Sequence, residues 1–275
     1  MLYWTEYTGH CGDIQGIRKK VDNTIYTFDI ETTSYFILNN KFYHAWQYEN
    51  LSEDDKEQCE FRSCMYIWMF SINDRVYYGR NWSDFKLFID TIYSYIPERK
   101  ICFIHNLAFE FQYLKSVLKF DVVMARKAHK VMKAICDRFN FEFRCSLFLT
   151  NCALKYIPKT YNLPVEKMVG DLDYNKIRHP KTKLTEKELG YCENDCLVIY
   201  YYIKRELEKY ERVDKIPLTA TGHVRRELKE LVLKDYAYKR KVKNAINTDP
   251  HVYNLLVQAF MGRIHPSGIG YTATL

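Results

Sequence analysis

Thr27-Phe28-Asp29-Ile30-Glu31-Thr32 is the stretch on which the reading of this chain turns. The run from Ile25 to Ile30 has strand character. A strand sends alternate side chains to one face, so Asp29 and Glu31 project together. Two carboxylates held close repel each other unless a cation lies between them, and a hard divalent ion with a preference for oxygen is the usual partner. By itself an Asp-x-Glu near a strand end is more often a solvated rim. Its weight here comes from two more carboxylate clusters farther along the chain.

The 275 residues are enough for one large domain, or one domain with an appendage. A hydrophobic share of 47% supports a real core and excludes a disordered chain. The aromatic share is 16%, with 24 Tyr, a supply that serves either a core or base stacking. A net charge of +7 is compatible with a polyanionic partner. Nine cysteines without a C-x-x-C pair read as free thiols in a reducing compartment rather than a disulfide frame or zinc site. Cys192 and Cys196 share a helix face and read as packing. No apolar signal core opens the chain and no apolar run is long enough to span a bilayer, so the expectation is a soluble, intracellular protein with no membrane partner.

Residues 1–22 read as a loosely held lead-in containing Arg18-Lys19-Lys20. Phe36 to Trp46, broken by Asn39-Asn40, suggests a hairpin. Glu49 to Glu60 reads as a surface loop. Met65 to Phe70 is an apolar strand, with Val76-Tyr77-Tyr78 as its partner across Asn73-Asp74. Ser83 is taken as the N-cap of a helix through Tyr95, ended by Pro97. Ile101 to Ile104 is a short buried strand, and a helix from Phe109 reaches Leu118. Val131–Ile135 and Phe139–Phe143 read as hairpin strands, and Ala153 to Tyr161 as a short helical piece. Thr185-Glu186-Lys187-Glu188 is a capping box opening a helix to about Lys209. Past Pro217, helices are expected over Val224–Tyr238 and Val252–Phe260, separated by the basic run Lys239 to Lys243. Strands first, then strands interleaved with helices, argue for an α/β mixed sheet flanked by helices.

The second carboxylate cluster is His105-Asn106-Leu107-Ala108-Phe109-Glu110. It lies where a buried strand gives way to a helix, the place where α/β sheets put ligands. Once helical, Asn106 and Glu110 share a face; the plainer alternative makes Asn106 a helix cap and Glu110 a surface charge. In the third, Tyr191-Cys192-Glu193-Asn194-Asp195, Tyr191 and Asp195 stand one turn apart in an apolar helix. A carboxylate directed inward there needs a partner; the alternative turns Asn194 and Asp195 to water. The basic runs near Arg126 (with Lys127, Lys130 and Lys133) and near Arg225 either track a phosphate backbone or form solvated faces.

In this order, Phe28-Asp29-Ile30-Glu31-Thr32, His105-Asn106-Leu107 with Phe109-Glu110, and Tyr191 with Asn194-Asp195 resemble the proofreading exonuclease family that uses four acidic residues and a tyrosine. More narrowly, the set resembles the N-terminal 3′–5′ exonuclease region of family B DNA polymerases of the protein-primed, phage and plasmid type. Ser146-Leu147, Gly170-Asp171-Leu172-Asp173-Tyr174, and Pro217-Leu218-Thr219 with Thr221-Gly222 add to the likeness, which covers roughly residues 24–262.

The resemblance implies a ribonuclease H-like mixed β-sheet flanked by helices, with a helical C-terminal extension. Residues 1–210 would form the exonuclease domain and 211–275 a helical segment leading toward a polymerase domain. It implies Asp29, Glu31, Glu110 and Asp195 as carboxylates for two Mg²⁺ or Mn²⁺ ions, with Tyr191 orienting the attacking water. Thr32, His105, Asn106, Phe109, Ser146, Leu147 and Lys167 would hold the substrate, single-stranded DNA, whose 3′ end is released as nucleoside monophosphates. Further implied partners are a terminal priming protein or a separate polymerase part, in the cytoplasm (the host's, for a phage-encoded chain).

Two departures stand out. Glu110 occupies a position where the family usually has Asp. Met261-Gly262 is followed by Arg263 rather than a Gly-Gly turn, and the palm aspartates are absent, so the expectation is an exonuclease part alone. Two alternatives stay open: a non-catalytic module that binds single strands or a priming protein, and a nuclease that uses the same metal site on RNA.

Overall fold

The computed structural model describes residues 1–3, 5, 21–166, 172–173, 176–234 and 240. Lys167, Gly170-Asp171, Tyr174, the runs Arg18-Lys19-Lys20 and Lys239 to Lys243 apart from Arg240, and the helix expected over Val252–Phe260 lie outside the described residues. By its contacts the chain divides into Met1–Ala220 and Thr221–Leu275.

In chain order the strands are β1 (Leu2–Tyr3), β2 (Tyr26–Leu38), β3 (Lys41–Tyr43), β4 (Glu60–Ile72), β5 (Arg75–Gly79), β6 (Lys100–Ile104), β7 (Val122–Ala125), β8 (Val131–Cys136) and β9 (Phe141–Cys145). The helices are α1 (Ala45–Glu49), α2 (Glu53–Gln58), α3 (Trp82–Tyr95), α4 (Leu107–Leu114), α5 (Ser146–Thr150), α6 (Ile157–Tyr161), α7 (Glu186–Tyr210) and α8 (Ala220–Lys234). Among the described residues the strands make one mixed sheet in the order β1-β5-β4-β2-β6-β9-β8-β7, with β3 beside β2. β2, β6 and β9 run parallel, and β4 runs antiparallel to β2. This is the ribonuclease H-like sheet flanked by helices, and α8 is the helical C-terminal extension.

Alternation along β2 divides the core. Tyr26, Phe28 and Ile30 pack with Phe85 and Phe88 of α3 and Leu107 and Leu114 of α4. The other face lies under α7, whose Val198, Ile199 and Tyr202 pack on Ile101 and Phe103 of β6. β6 and β9 are buried along their whole length, as parallel strands covered on both faces must be. Asn39 and Asn40 both have positive φ, 49° and 60°, and close the two-residue turn between β2 and β3. The Thr185–Glu188 capping box opens α7 as read from sequence.

Several boundaries differ from expectation. The strand at Ile25–Ile30 does not stop: β2 continues to Leu38, so the hairpin strand at Phe36 is its far end. The acidic loop contains α2, capped by the Ser52 hydroxyl, which accepts from the Asp55 N–H at 3.2 Å. Helix α3 is capped by Asn81, whose side chain accepts from the Asp84 N–H at 2.8 Å, and not by Ser83. Helix α4 starts at Leu107 and stops at Leu114, short of Leu118. β9 starts at Phe141, because Asn140 turns the chain with φ 54°. β1 lies within the expected lead-in, and β7 has no counterpart in the sequence reading.

Gly79 lies opposite Trp68 in the β4–β5 pair, and a methyl group there would overlap the fully buried indole. Gly79→Ala is therefore expected to destabilise the fold by about 1–3 kcal/mol, read as a lower midpoint in urea. A second expectation concerns Glu188. Burial pushes its carboxyl up, but the Thr185 N–H, the Arg178 guanidinium and the Thr185 hydroxyl outweigh burial and hold it at about 2, below its ordinary 4.5. A depressed carboxylate contributes stability that is complete above the unfolded value and lost as pH falls through the folded one. The melting-temperature gap between wild type and Glu188→Gln should therefore close between pH 4.5 and 2.

Candidate metal centre

β6 pairs with β2 only at Tyr26/Cys102 and Thr27/Phe103. Beyond Thr27 this pairing ends, just before Asp29. β2 stays paired with β4, but the register shifts just after Glu31: Glu31 faces Ile67 while Thr32 faces Met65, which leaves Tyr66 as the extra residue. Such bulges bend a strand and re-aim side chains, and they recur beside active sites.

A polar contact ties helix α7 down at this point. The Thr27 hydroxyl, on the same strand face as Asp29, donates to the Cys196 carbonyl at 3.2 Å and lies 2.6 Å from the Ser71 hydroxyl. Cys196 follows Asp195 directly, so this link sets Asp195 over the β2 carboxylates. One carboxylate oxygen from each of Asp29, Glu31 and Asp195 lies within 4.8 Å of the others. Asp195 is buried, which excludes the reading that turns it to water. Burial, with the nearby charge of Asp29, pushes the Cys196 thiol well up. It remains a neutral packing group with Cys192, as expected.

Glu110 stands in the first turn of α4, only 3% exposed, and its Oε2 has no hydrogen-bond partner. Burial pushes its carboxyl well above the usual range; its own backbone N–H offsets part of this, and the charge of Glu31 adds to it. The surface-charge reading of Glu110 is thus overturned. A buried carboxylate oxygen left unpaired is costly unless something outside the chain occupies it. Asp29, Glu31 and Asp195 form an all-oxygen, anionic donor set, and Glu110 lies near enough for the charge of Glu31 to act on its carboxyl. That chemistry fits a hard divalent ion such as Mg²⁺ or Mn²⁺ and does not suit a soft metal.

The remaining expected residues fall into three groups. Tyr191 is buried one turn from Asp195, packed with Tyr66 and Ile67. Ser146 and His105 meet at the end of β6: the fully buried Ser146 hydroxyl donates to the Ile104 carbonyl at 3.3 Å and lies 3.2 Å from His105 Nδ1. Asn106 and Leu147 line one groove, Thr32 a separate small cleft, and Phe109 stands exposed on α4. Asn106 is exposed and holds the N-cap position of α4, as the plainer alternative has it, but in the left-handed region with φ 63° and without a side-chain capping bond. Phe109 is 42% exposed and meets Tyr113 at 5.5 Å between ring centroids. Leu147 packs partly on the core, and Thr32 borders a small cleft with Trp46 and Arg178.

Sequence reasoning missed Thr27, although a threonine opposite Ser71 in two otherwise apolar strands was a visible signal. It also missed Asn194 as a tie: its amide donates to the Glu166 carbonyl at 2.8 Å, holding the preceding segment to α7.

No protein-family model matches the chain, and no curated protein matches it. Among solved structures, the fold is similar to Phi29 DNA polymerase in an orthorhombic crystal form, with TM-score 0.51 and 16% identity over 77% of this chain and 35% of that one. It is likewise similar to Phi29 DNA polymerase complexed with primer-template DNA and incoming nucleotide substrates, with TM-score 0.50 and 16% identity over 68% of this chain and 31% of that one. The chain spans about a third of the length of the polymerase chains it matches. Among the described residues, no helix is long and apolar enough to cross a membrane.

If Glu110 is held for a cation, Glu110→Gln should leave the melting temperature in EDTA unchanged or raised, because the amide removes a carboxyl whose charged form burial already disfavours. Mn²⁺ should then stabilise wild type by several degrees and the variant by clearly less. Equal stabilisation of both proteins would contradict the assignment.

Proposed function

We propose that this chain hydrolyses single-stranded DNA from its 3′ end, as the metal-dependent exonuclease part of a protein-primed family B DNA polymerase. On this reading residues 1–210 carry the nuclease and 211–275 lead toward a polymerase part. The observation that carries the proposal is the convergence of Asp29, Glu31 and Asp195 within 4.8 Å, with the unpaired Glu110 oxygen buried near Glu31. The fold shared with a DNA polymerase solved on primer-template DNA supports a polynucleotide as substrate.

Asp29, Glu31 and Asp195 would hold divalent ions, with Glu110 completing the set. When bound, such ions neutralise the phosphodiester and activate water as the nucleophile. The chain supplies the rest. A phenol, with an ordinary pKa near 10, is a poor base at neutral pH, so Tyr191 positions the water through its hydroxyl rather than deprotonating it. Asn106, exposed and uncapped, donates its amide to the sugar-phosphate, together with Thr32. The exposed face of Phe109 stacks on a terminal base, and Leu147 wedges beside it. Ser146 and His105 act from below, by fixing the end of β6 on which Asn106 is mounted. Lys167 neutralises the scissile phosphate.

The test uses a 5′-labelled single-stranded oligonucleotide with Mg²⁺ or Mn²⁺. Stepwise shortening from the 3′ end is expected, and Asp29→Ala should lower the rate by roughly 10²-fold or more. Glu110→Asp should retain far more activity than Glu110→Ala. Tight binding without metal-dependent cleavage would replace this reading with a binding module, and equal cleavage of RNA would remove the preference for DNA.

A further inference from the structure

The metal centre lies level with the C-terminal ends of β6 and β9, and strand register shows what else lies there. β9 runs parallel to β6 and ends at Cys145, immediately before Ser146 and Leu147. β8 is antiparallel to β9, with Lys133 opposite Arg144, so Val131 stands level with Ser146. The turn from Arg126 to Lys130, which joins β7 to β8, therefore lies at the same end of the strands as the carboxylates, three strands away along β2-β6-β9-β8. At about 4.8 Å per strand the separation across the sheet is about 14 Å.

A groove of about 640 Å³ lies against this turn and reaches the start of α4. Its lining includes Asn106, four residues before Glu110, with Leu147 and Asn151, and Arg126, Lys127 and Lys130 of the turn. All three cationic side chains are exposed. The turn that carries them is closed by backbone bonds, Arg126 N–H to the Lys130 carbonyl at 3.0 Å and Lys130 N–H to the Lys127 carbonyl at 3.0 Å. The three charges are thus clustered on a closed turn, not spread along a flexible arm. Clustered lysine and arginine beside an anionic centre would be wasted on a small neutral ligand but suit a polyanion that spans both.

We infer that this groove carries the phosphate backbone of the DNA strand whose 3′ end lies at the carboxylates, with Arg126, Lys127 and Lys130 contacting phosphates upstream of the scissile bond. The inference rests on the nuclease reading above and extends it by assigning the direction in which the strand leaves the site. Substrates that reach from Asn106 to the turn gain these contacts, and a dinucleotide does not. The turn is a determinant of binding and chain length, not of chemistry.

The test measures binding apart from cleavage. The full chain in EDTA is titrated with fluorescein-labelled oligo(dT) of about 15 nucleotides, and anisotropy is followed from about 50 to 200 mM NaCl. Replacing Arg126, Lys127 and Lys130 together by Ala is expected to raise Kd roughly tenfold at the low-salt end and to shrink the slope of log K against log salt by about 2, as for three lost phosphate contacts on a single strand. The charge-conserving pair Lys127→Arg and Lys130→Arg should keep the wild-type slope. Because the turn is exposed, the melting temperature of the triple variant should match wild type. An unchanged slope in the folded triple variant overturns the inference. Cleavage of a thymidine dinucleotide with Mn²⁺ should be equal in wild type and triple variant; selective loss in the triple variant also overturns it. A wild type that binds with the expected slope yet never cleaves leaves the groove standing and removes the nuclease.

Discussion

Crowded negative charge is the constraint on which this structure depends. Two unit charges 4 Å apart repel by about 4 kcal/mol at an effective dielectric of 20, and by about 1 kcal/mol in bulk water. The chain brings three carboxylates within 4.8 Å and places a fourth, Glu110, where Glu31 acts on it. A fold gains nothing from that arrangement alone. It must be imposed by other interactions: the pairing of β2 with β4 on one side and the docking of α7 on the other. The Thr27 hydroxyl joins those two parts at the residue next to Asp195.

The supports of α7 extend from that point. At its start, Glu188 caps Thr185 and pairs with the buried Arg178, whose guanidinium also donates to the Asp173 carbonyl at 2.6 Å. Past its end, Arg144 of β9 donates to the carbonyls of Val213 and Ile216 while paired with Glu142. Both buried guanidiniums are therefore used to hold backbone in place, and the anionic centre lies between these anchors. Such a division, with buried arginines committed to the scaffold, further cations on the outer turn and carboxylates gathered at the centre, suits a cation-dependent phosphodiester site.

Much of this was legible in sequence because it stems from local periodicity. The shared face of Asp29 and Glu31 needs only the two-residue repeat of a strand, and the α7 start needs only the Thr-x-x-Glu pattern. Elements whose signal is not apolar were lost: α2 buries no residue, so its Ser52 cap and acidic first turn went unread, and β7 is an edge strand exposed along its length. The position of α3 was misjudged because Asn81 and Ser83 are both good caps and only packing chooses between them. The depth of Glu110 was beyond sequence, since it depends on where α4 settles against the sheet. The hold on Asp195 runs through a backbone carbonyl, which no residue type announces.

Anomalous diffraction from a crystal of the full chain soaked in Mn²⁺ tests the central claim most directly. The account predicts strong peaks coordinated by oxygens of Asp29, Glu31 and Asp195, with Glu110 turned toward one of them. Density that shows these four carboxylates paired with lysine or arginine side chains and carries no anomalous peak at saturating Mn²⁺ would contradict it.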